Sequence, residues 1–358
     1  MSASVSLLLF WGGVIATVLA LRQRPAGLAP DKYFTDTYKG LAMFLVLYHH
    51  SRIYHAGEFW FLFLGGDAYA GVSLFFFISG FGLTRSQEKY DYSLPGFILV
   101  RFLALAPGVA LCMLLRGWLG PLWGQQAILE TDPLTLLGLR EWFLIALWTY
   151  YLSFILSWTF GRSLTERCFY ILAASLITAL VLIHIQGWWP DARLWWRFPF
   201  SFALGVLVSR HMEGLLQLMR RRAWPVLALT GLILGLAWTG KDLADLPMNW
   251  AADLAVIPFS LALCSLLYRF GLTSRAWTFL GRNSLALYLL QVPLLKQGWL
   301  LGHWRGDILG LLTTWAVIFA LAGGAGWAQR RLARVISALS PRPGQALAEG
   351  HVSPGPGA

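Results

Sequence analysis

From Ser4 to Ala328 the chain alternates apolar runs of about 20 residues with short polar stretches. Each run is long enough to cross a hydrocarbon core of roughly 30 Å as a helix, a form in which every backbone polar group is satisfied inside lipid. Runs beginning near Ser4, Gly40, Tyr69, Phe97, Trp142, Phe169, Phe198, Trp224, Trp250, Ser284 and Ile308 predict an all-α polytopic bundle of about eleven spans. The pattern divides into an N-terminal helix with its linker (1–38), a ten-helix body (39–335) and a tail (336–358). From Ser340 the tail is rich in proline and glycine without an apolar period, a composition that predicts disorder.

Composition agrees with lipid as the solvent. Of 358 residues 57% are hydrophobic and 13% charged, about half the charge of a soluble domain. The polar stretches are too short to hide a soluble domain. The net charge of +11 would point to nucleic acid in a soluble protein; here its distribution reads as topology. With the stretch from Arg22 to Lys39 inside, all of the 28 basic residues fall inside except Arg52, Arg116, Arg140, Arg193, Arg197, Lys241, Lys296 and Arg305. The first run has no basic residue before it and Arg22 and Arg24 just after it, the reverse of a secretory signal. It is expected to be a retained helix with the N-terminus outside the cell membrane, the body then starting and ending in the cytoplasm. The partner that this predicts is membrane lipid and not nucleic acid. Cys112, Cys168 and Cys264 are far apart and lack metal-ligand spacing, so buried thiols are expected and no metal site.

Ionisable groups enter the second span, TDTYKGLAMFLVLYHHSRIYHAGE. Such groups are costly in lipid and are functional candidates by default. Lys39 and His50 are eleven residues apart, which returns to within roughly 20° of the same helix face after a rise of about 16 Å. A helix entering at Lys39 therefore holds His50 near mid-bilayer, in reach of reactants from both sides. A neutral imidazole, with an ordinary pKa of about 6.5, can take a proton from a hydroxyl; the structural alternative is a histidine bonded to a neighbouring helix. His49 points about 100° away from His50, so one of the two faces the groove. Ser79 lies in ISGFG, which lacks the glycine that a GxSxG nucleophile turn needs, since Phe77 stands there; close helix packing at Ser79 and Gly80 is the better reading. Tryptophans at GWWPDARLWWRFPF and GWLGPLWGQ can stack on sugars or form the interfacial aromatic belt. Asp67, Glu141, Asp191, Asp242 and Asp245 are carboxylates at or near the outer side, and the sequence does not rank them.

The stretch YKGLAMFLVLYHH resembles the opening helix of the acyltransferase-3 family, integral membrane enzymes that acylate surface polysaccharides, lipopolysaccharide and related acceptors. In that family a basic residue is followed, after ten intervening residues, by an essential histidine; Lys39 and His50 fit the spacing and His49 does not. GVSLFFFISGFGLTRS resembles the second hallmark, and FILVRFLALAP, with Arg101 and Pro107, the arginine and proline that follow it. EWFLIALWTYY and LGRNSLALYLLQVPLL are fainter echoes, and together the blocks cover most of the body in the family's order. Lysine stands where arginine is commoner, Ser73 where an acid is frequent, and Gln291 where a histidine is frequent.

The resemblance implies an acyltransferase moving an acyl group, acetyl in the first place, from cytosolic acyl-CoA to a hydroxyl of a glycan or glycolipid at the far side. His50 would be the general base, with His49 the second candidate. Lys39, Arg85 and Arg101, with Lys89 nearby, would meet the cofactor's phosphates at the cytoplasmic mouth of three consecutive spans. Snorkelling of basic side chains at helix ends is the plainer account of each one taken singly. Direct transfer and a route through an acylated intermediate both remain open. The rival class is a secondary transporter or flippase using His49, His50 and Arg52 as a proton or substrate site; the paired halves common in such proteins are not visible in the sequence.

Overall fold

The computed structural model describes residues 12, 15–22, 29–55, 68–119, 142–185, 198–239, 246–296 and 308–339. Among them every named element is helical, and the lone β-bridge joins Arg22 to Ser274. In chain order the helices are α1 Lys32–His55, α2 Ala68–Tyr90, α3 Leu94–Leu119, α4 Trp142–Phe160, α5 Leu164–Ile185, α6 Ser201–Val208, α7 Met212–Thr239, α8 Leu246–Arg269, α9 Arg275–Arg282, α10 Ser284–Lys296 and α11 Ile308–Leu339. Residues 15–20 form part of the helix expected from Ser4; the rest of that run, and the tail from Ser340, lie outside the described residues. α11 continues to Leu339, a few residues beyond the boundary expected at 335.

Local signals set the helix ends. The Asp31 carboxylate accepts the Phe34 N–H at 2.7 Å and caps α1. Ser163 and Glu166 form a reciprocal capping box at the start of α5: the Glu166 N–H donates to Ser163 Oγ at 3.2 Å, and Glu166 Oε2 accepts from the N–H groups of Arg162 and Ser163. α2 ends where Asp91 adopts a φ of 45°. In α7, Pro225 lacks an N–H and its ring crowds the preceding turn, so the helix breaks at Arg222 (φ −121°, ψ 18°).

Among the described residues five helices are long and apolar enough to cross a membrane, along Leu94–Leu115, Trp142–Phe160, Leu164–Val181, Trp250–Arg269 and Gly310–Leu332. Large apolar side chains such as Leu99, Leu152, Phe169, Ile177, Leu180 and Leu254 stand exposed on them, a surface suited to lipid tails rather than water. Two expected spans take another form. At Phe198 the helix is α6, only eight residues or about 12 Å, because tight turns at Ser209 and His211 stop it. The span expected from Ser284 starts earlier, as α9, and is interrupted at Asn283. The Asn283 amide donates to the Phe279 carbonyl and accepts from Arg330 of α11 at 3.0 Å.

α1 is the central element, packed on α2, α8, α9 and α10, with Phe34, Tyr38, Met43 and Leu47 fully buried. Tyr38 shares a 2.6 Å hydrogen bond with Ser260 of α8. Two helix pairs approach to backbone contact at reciprocal glycines. Gly40 of α1 lies against the Trp277 carbonyl of α9, and Gly281 of α9 against the Asp36 carbonyl of α1. Likewise Gly80 of α2 meets the Phe202 carbonyl of α6, and Gly205 of α6 the Phe77 carbonyl of α2. Without a hydrophobic drive between helices in lipid, association rests on such close packing. At Gly80 it supplies the packing role expected from the sequence.

α6 lies among α2, α5 and α8, and a buried carboxyl group holds its start. Asp253 of α8 accepts the backbone N–H groups of Phe200 (3.0 Å) and Ser201 (3.2 Å) and the hydroxyls of Ser201 and Ser73. The Ser73 hydroxyl of α2 thus meets a carboxyl group that reaches across from α8. Asp253→Ala would strip four buried donors of their acceptor and is expected to cost about 3 kcal/mol, read as a lower Tm of the purified protein in detergent. Asp253→Asn, which keeps one acceptor oxygen, should lose less than half as much. An unchanged Tm in Asp253→Ala would show that α6 is anchored by other contacts.

Candidate active site

α1 carries Lys39 and His50 on one unbroken helix, as their spacing requires. His50 is half-buried, and its Nδ1 is shut off from solvent without a hydrogen-bond partner. The His49 ring stands 5.6 Å away at 70° to it. From α10 the amide of Gln291, fully buried, faces the His50 ring, and neither atom of that amide makes a hydrogen bond. One residue further along, Ser51 Oγ donates to the Leu47 carbonyl at 2.7 Å and accepts the Trp315 indole N–H of α11 at 2.8 Å. This bond fixes the rotation of α1 next to the imidazole. The side chains of Arg52 and His55, all of Glu58, and the carboxylates Asp67, Glu141, Asp191, Asp242 and Asp245 lie outside the described residues.

At the other end of α1, Lys39 is half-buried, and Asp36, Lys32 and Arg101 are the charges close enough to act on it. The Asp36 carboxylate is engaged by Arg282 at 2.8 Å. Lys39 and Arg101 are therefore left with an excess of positive charge around them. Arg101 donates to Ser86 Oγ at 3.0 Å and lies 5.3 Å over the Phe97 ring, while its Nε is buried and unpartnered. Two of the three expected cofactor-side cations, Lys39 and Arg101, are brought together. The third, Arg85, is exposed on α2, and no hydrogen bond or ion pair among the described residues ties it to them. Lys89 sits 5.0 Å over the exposed Tyr90 ring.

Among the described residues no group of three or more His, Cys, Asp and Glu side chains could hold a metal ion. The three cysteines are separate buried thiols. Two buried polar residues were not ranked as site residues by sequence alone. Asp253 had a local signal, an acid inside an apolar run. Gln291 appeared only as a departure from a pattern, and nothing local announces that it meets His50.

The arrangement is a bundle with an unsaturated imidazole–amide pair at one level and an excess of cations at another, joined by one helix. Comparison with curated proteins and with solved structures finds no match. Residues 32–328 match the family model described as an acyltransferase domain, a match that runs from the first residue of α1 into α11 and takes in Lys39, His50, Arg101 and Gln291. The chain belongs to the acyltransferase-3 family and is an integral membrane acyltransferase.

Proposed function

We propose that the protein transfers an acyl group, acetyl in the first place, from cytosolic acyl-CoA to a hydroxyl of a polysaccharide, glycolipid or similar acceptor on the extracytoplasmic side of the cell membrane. The observation that carries this reading is the placement of His50 and Lys39 on a single helix, about 16 Å apart along its axis, with Arg101 of α3 near Lys39. In this reading the basic end faces the cytoplasm and the N-terminus lies outside. Lys39 and Arg101 bind the cofactor's phosphates through charge-assisted hydrogen bonds. Lysine gives a point charge there in place of the two-pronged grip of arginine. His50 takes the acceptor's proton as the oxygen attacks the thioester carbon. His49 flanks the base, and Arg85, being exposed, is assigned an auxiliary part in drawing the anionic cofactor in.

Two experiments test this. Native membranes containing the protein should release free coenzyme A from acetyl-CoA when the acceptor is present, and the surface glycans should gain the acetyl mass increment. A secondary carrier would release no thiol, and that result would end the proposal. Lys39→Met should raise the KM for acetyl-CoA about tenfold or more, as the loss of one charge-assisted bond implies, with a smaller change in the rate at saturation. An unchanged KM would remove Lys39 from the cofactor site.

A further inference from the structure

His50 and Gln291 both carry buried polar atoms without partners, and they face each other across the contact of α1 with α10. A neutral imidazole has one N–H and one bare nitrogen, and which is which is set by the hydrogen bond that the other groups offer. Nδ1 of His50 is shut off from solvent. If Nδ1 were the bare nitrogen, the basic lone pair would be sealed away from any hydroxyl. It must therefore carry the proton, and a buried N–H needs an acceptor. We propose that Gln291 is the positioning residue of the site: its Oε1 accepts the Nδ1–H of His50 and so leaves Nε2 bare toward the substrate.

This inference rests on the acyl-transfer reading and adds to it the nitrogen used. The acceptor hydroxyl gives its proton to Nε2 while its oxygen bonds to the thioester carbon. The C–S bond then breaks, and the imidazolium returns the proton to the sulfur, leaving an ester and a free thiol. Throughout, Oε1 holds the ring in one orientation and steadies the charge that the ring carries in passing. A structural role for Gln291 makes the opposite forecast for an apolar replacement. Exchanging a buried unpaired amide for a thioether of similar length should then be neutral or stabilising.

The test compares Gln291→Met, Gln291→Glu and His50→Ala in native membranes supplied with acetyl-CoA, scoring coenzyme A release per amount of inserted protein. Gln291→Met is expected to lower the rate at saturating acetyl-CoA about a hundredfold with the KM for acetyl-CoA unchanged within about twofold. Gln291→Glu, which keeps an acceptor oxygen, should recover to within about tenfold of the wild-type rate. Wild-type turnover in Gln291→Met overturns the proposal, as does a Gln291→Glu protein that inserts normally and is no more active than Gln291→Met. If the methionine variant does not accumulate, the glutamate variant decides against wild type: a normally inserted Gln291→Glu protein more than about a hundredfold slower than wild type overturns the proposal, and one within about tenfold upholds it. His50→Ala separates the two layers: full activity there removes the histidine as base, whereas an inactive His50→Ala beside an active Gln291→Met removes Gln291 alone.

Discussion

His50→Ala is expected to reduce acyl transfer by about a hundred- to ten-thousandfold, the range associated with loss of a general base, while the protein still folds and inserts. The imidazole is half-buried, and the bond proposed for its Nδ1, to Gln291, orients the ring rather than holding the bundle together. The neighbouring bond that does hold α1, from Trp315 to Ser51, is untouched. The KM for acetyl-CoA should stay close to the wild-type value, because Lys39 lies at the other end of the helix and Arg101 acts there from α3. His49→Ala provides the comparison. Its ring stands beside His50 but points about 100° away around the helix, so a loss of no more than about tenfold is expected. Coenzyme A release and glycan acetylation should fall together in His50→Ala. Acylation at the normal rate in a correctly inserted His50→Ala protein would refute the mechanism.

The largest structural effect is expected from Gly281→Val. A Cβ at this position would meet the backbone carbonyl of Asp36, and a backbone atom cannot turn aside as a side chain can. Overpacking usually costs about 1–3 kcal/mol, and more where the clash is with main chain; Gly281→Val is expected to exceed about 3 kcal/mol. The damage is not confined to α9. Asp36 is also the partner of Arg282, and it lies one turn before Lys39, so a displaced α9 disturbs the cation cluster. Loss of a monodisperse species in detergent, with loss of coenzyme A release, is the result that checks this. Gly82→Ala is the control, since nothing lies within 4 Å of a Cβ built there. A Gly281→Val protein as stable as wild type would show that α1 and α9 can separate without consequence.

The reciprocal glycines show which part of the fold was open to sequence reading. Gly80 stood in a recognisable block, so that close packing could be foreseen, but its partner Phe202 and the answering Gly205 lie more than a hundred residues away. Gly40 and Gly281 are as distant from each other, and no local pattern marks either as a contact. The two shortened spans have the same origin. Apolar content gave the right regions, while the lengths of α6 and α9 follow from turns at Ser209 and Asn283 and from the carbonyls that receive their glycines.

By itself the sequence determined that the chain is a helical membrane protein, that Lys39 and His50 lie on one face of one helix, and that the order of its blocks is that of the acyltransferase-3 family. Each of these depends on local quantities, the length of apolar runs and the 3.6-residue turn, which the order of residues sets directly. Tertiary structure alone decided that Arg101 comes within electrostatic reach of Lys39, that Asp253 reaches across to Ser73 and the start of α6, and that Gln291 faces His50. Those meetings join different helices; Ser73 and Asp253 are 180 positions apart, and His50 and Gln291 are farther apart still. They depend on how closely backbones approach at a few glycines, which side-chain periodicity does not encode.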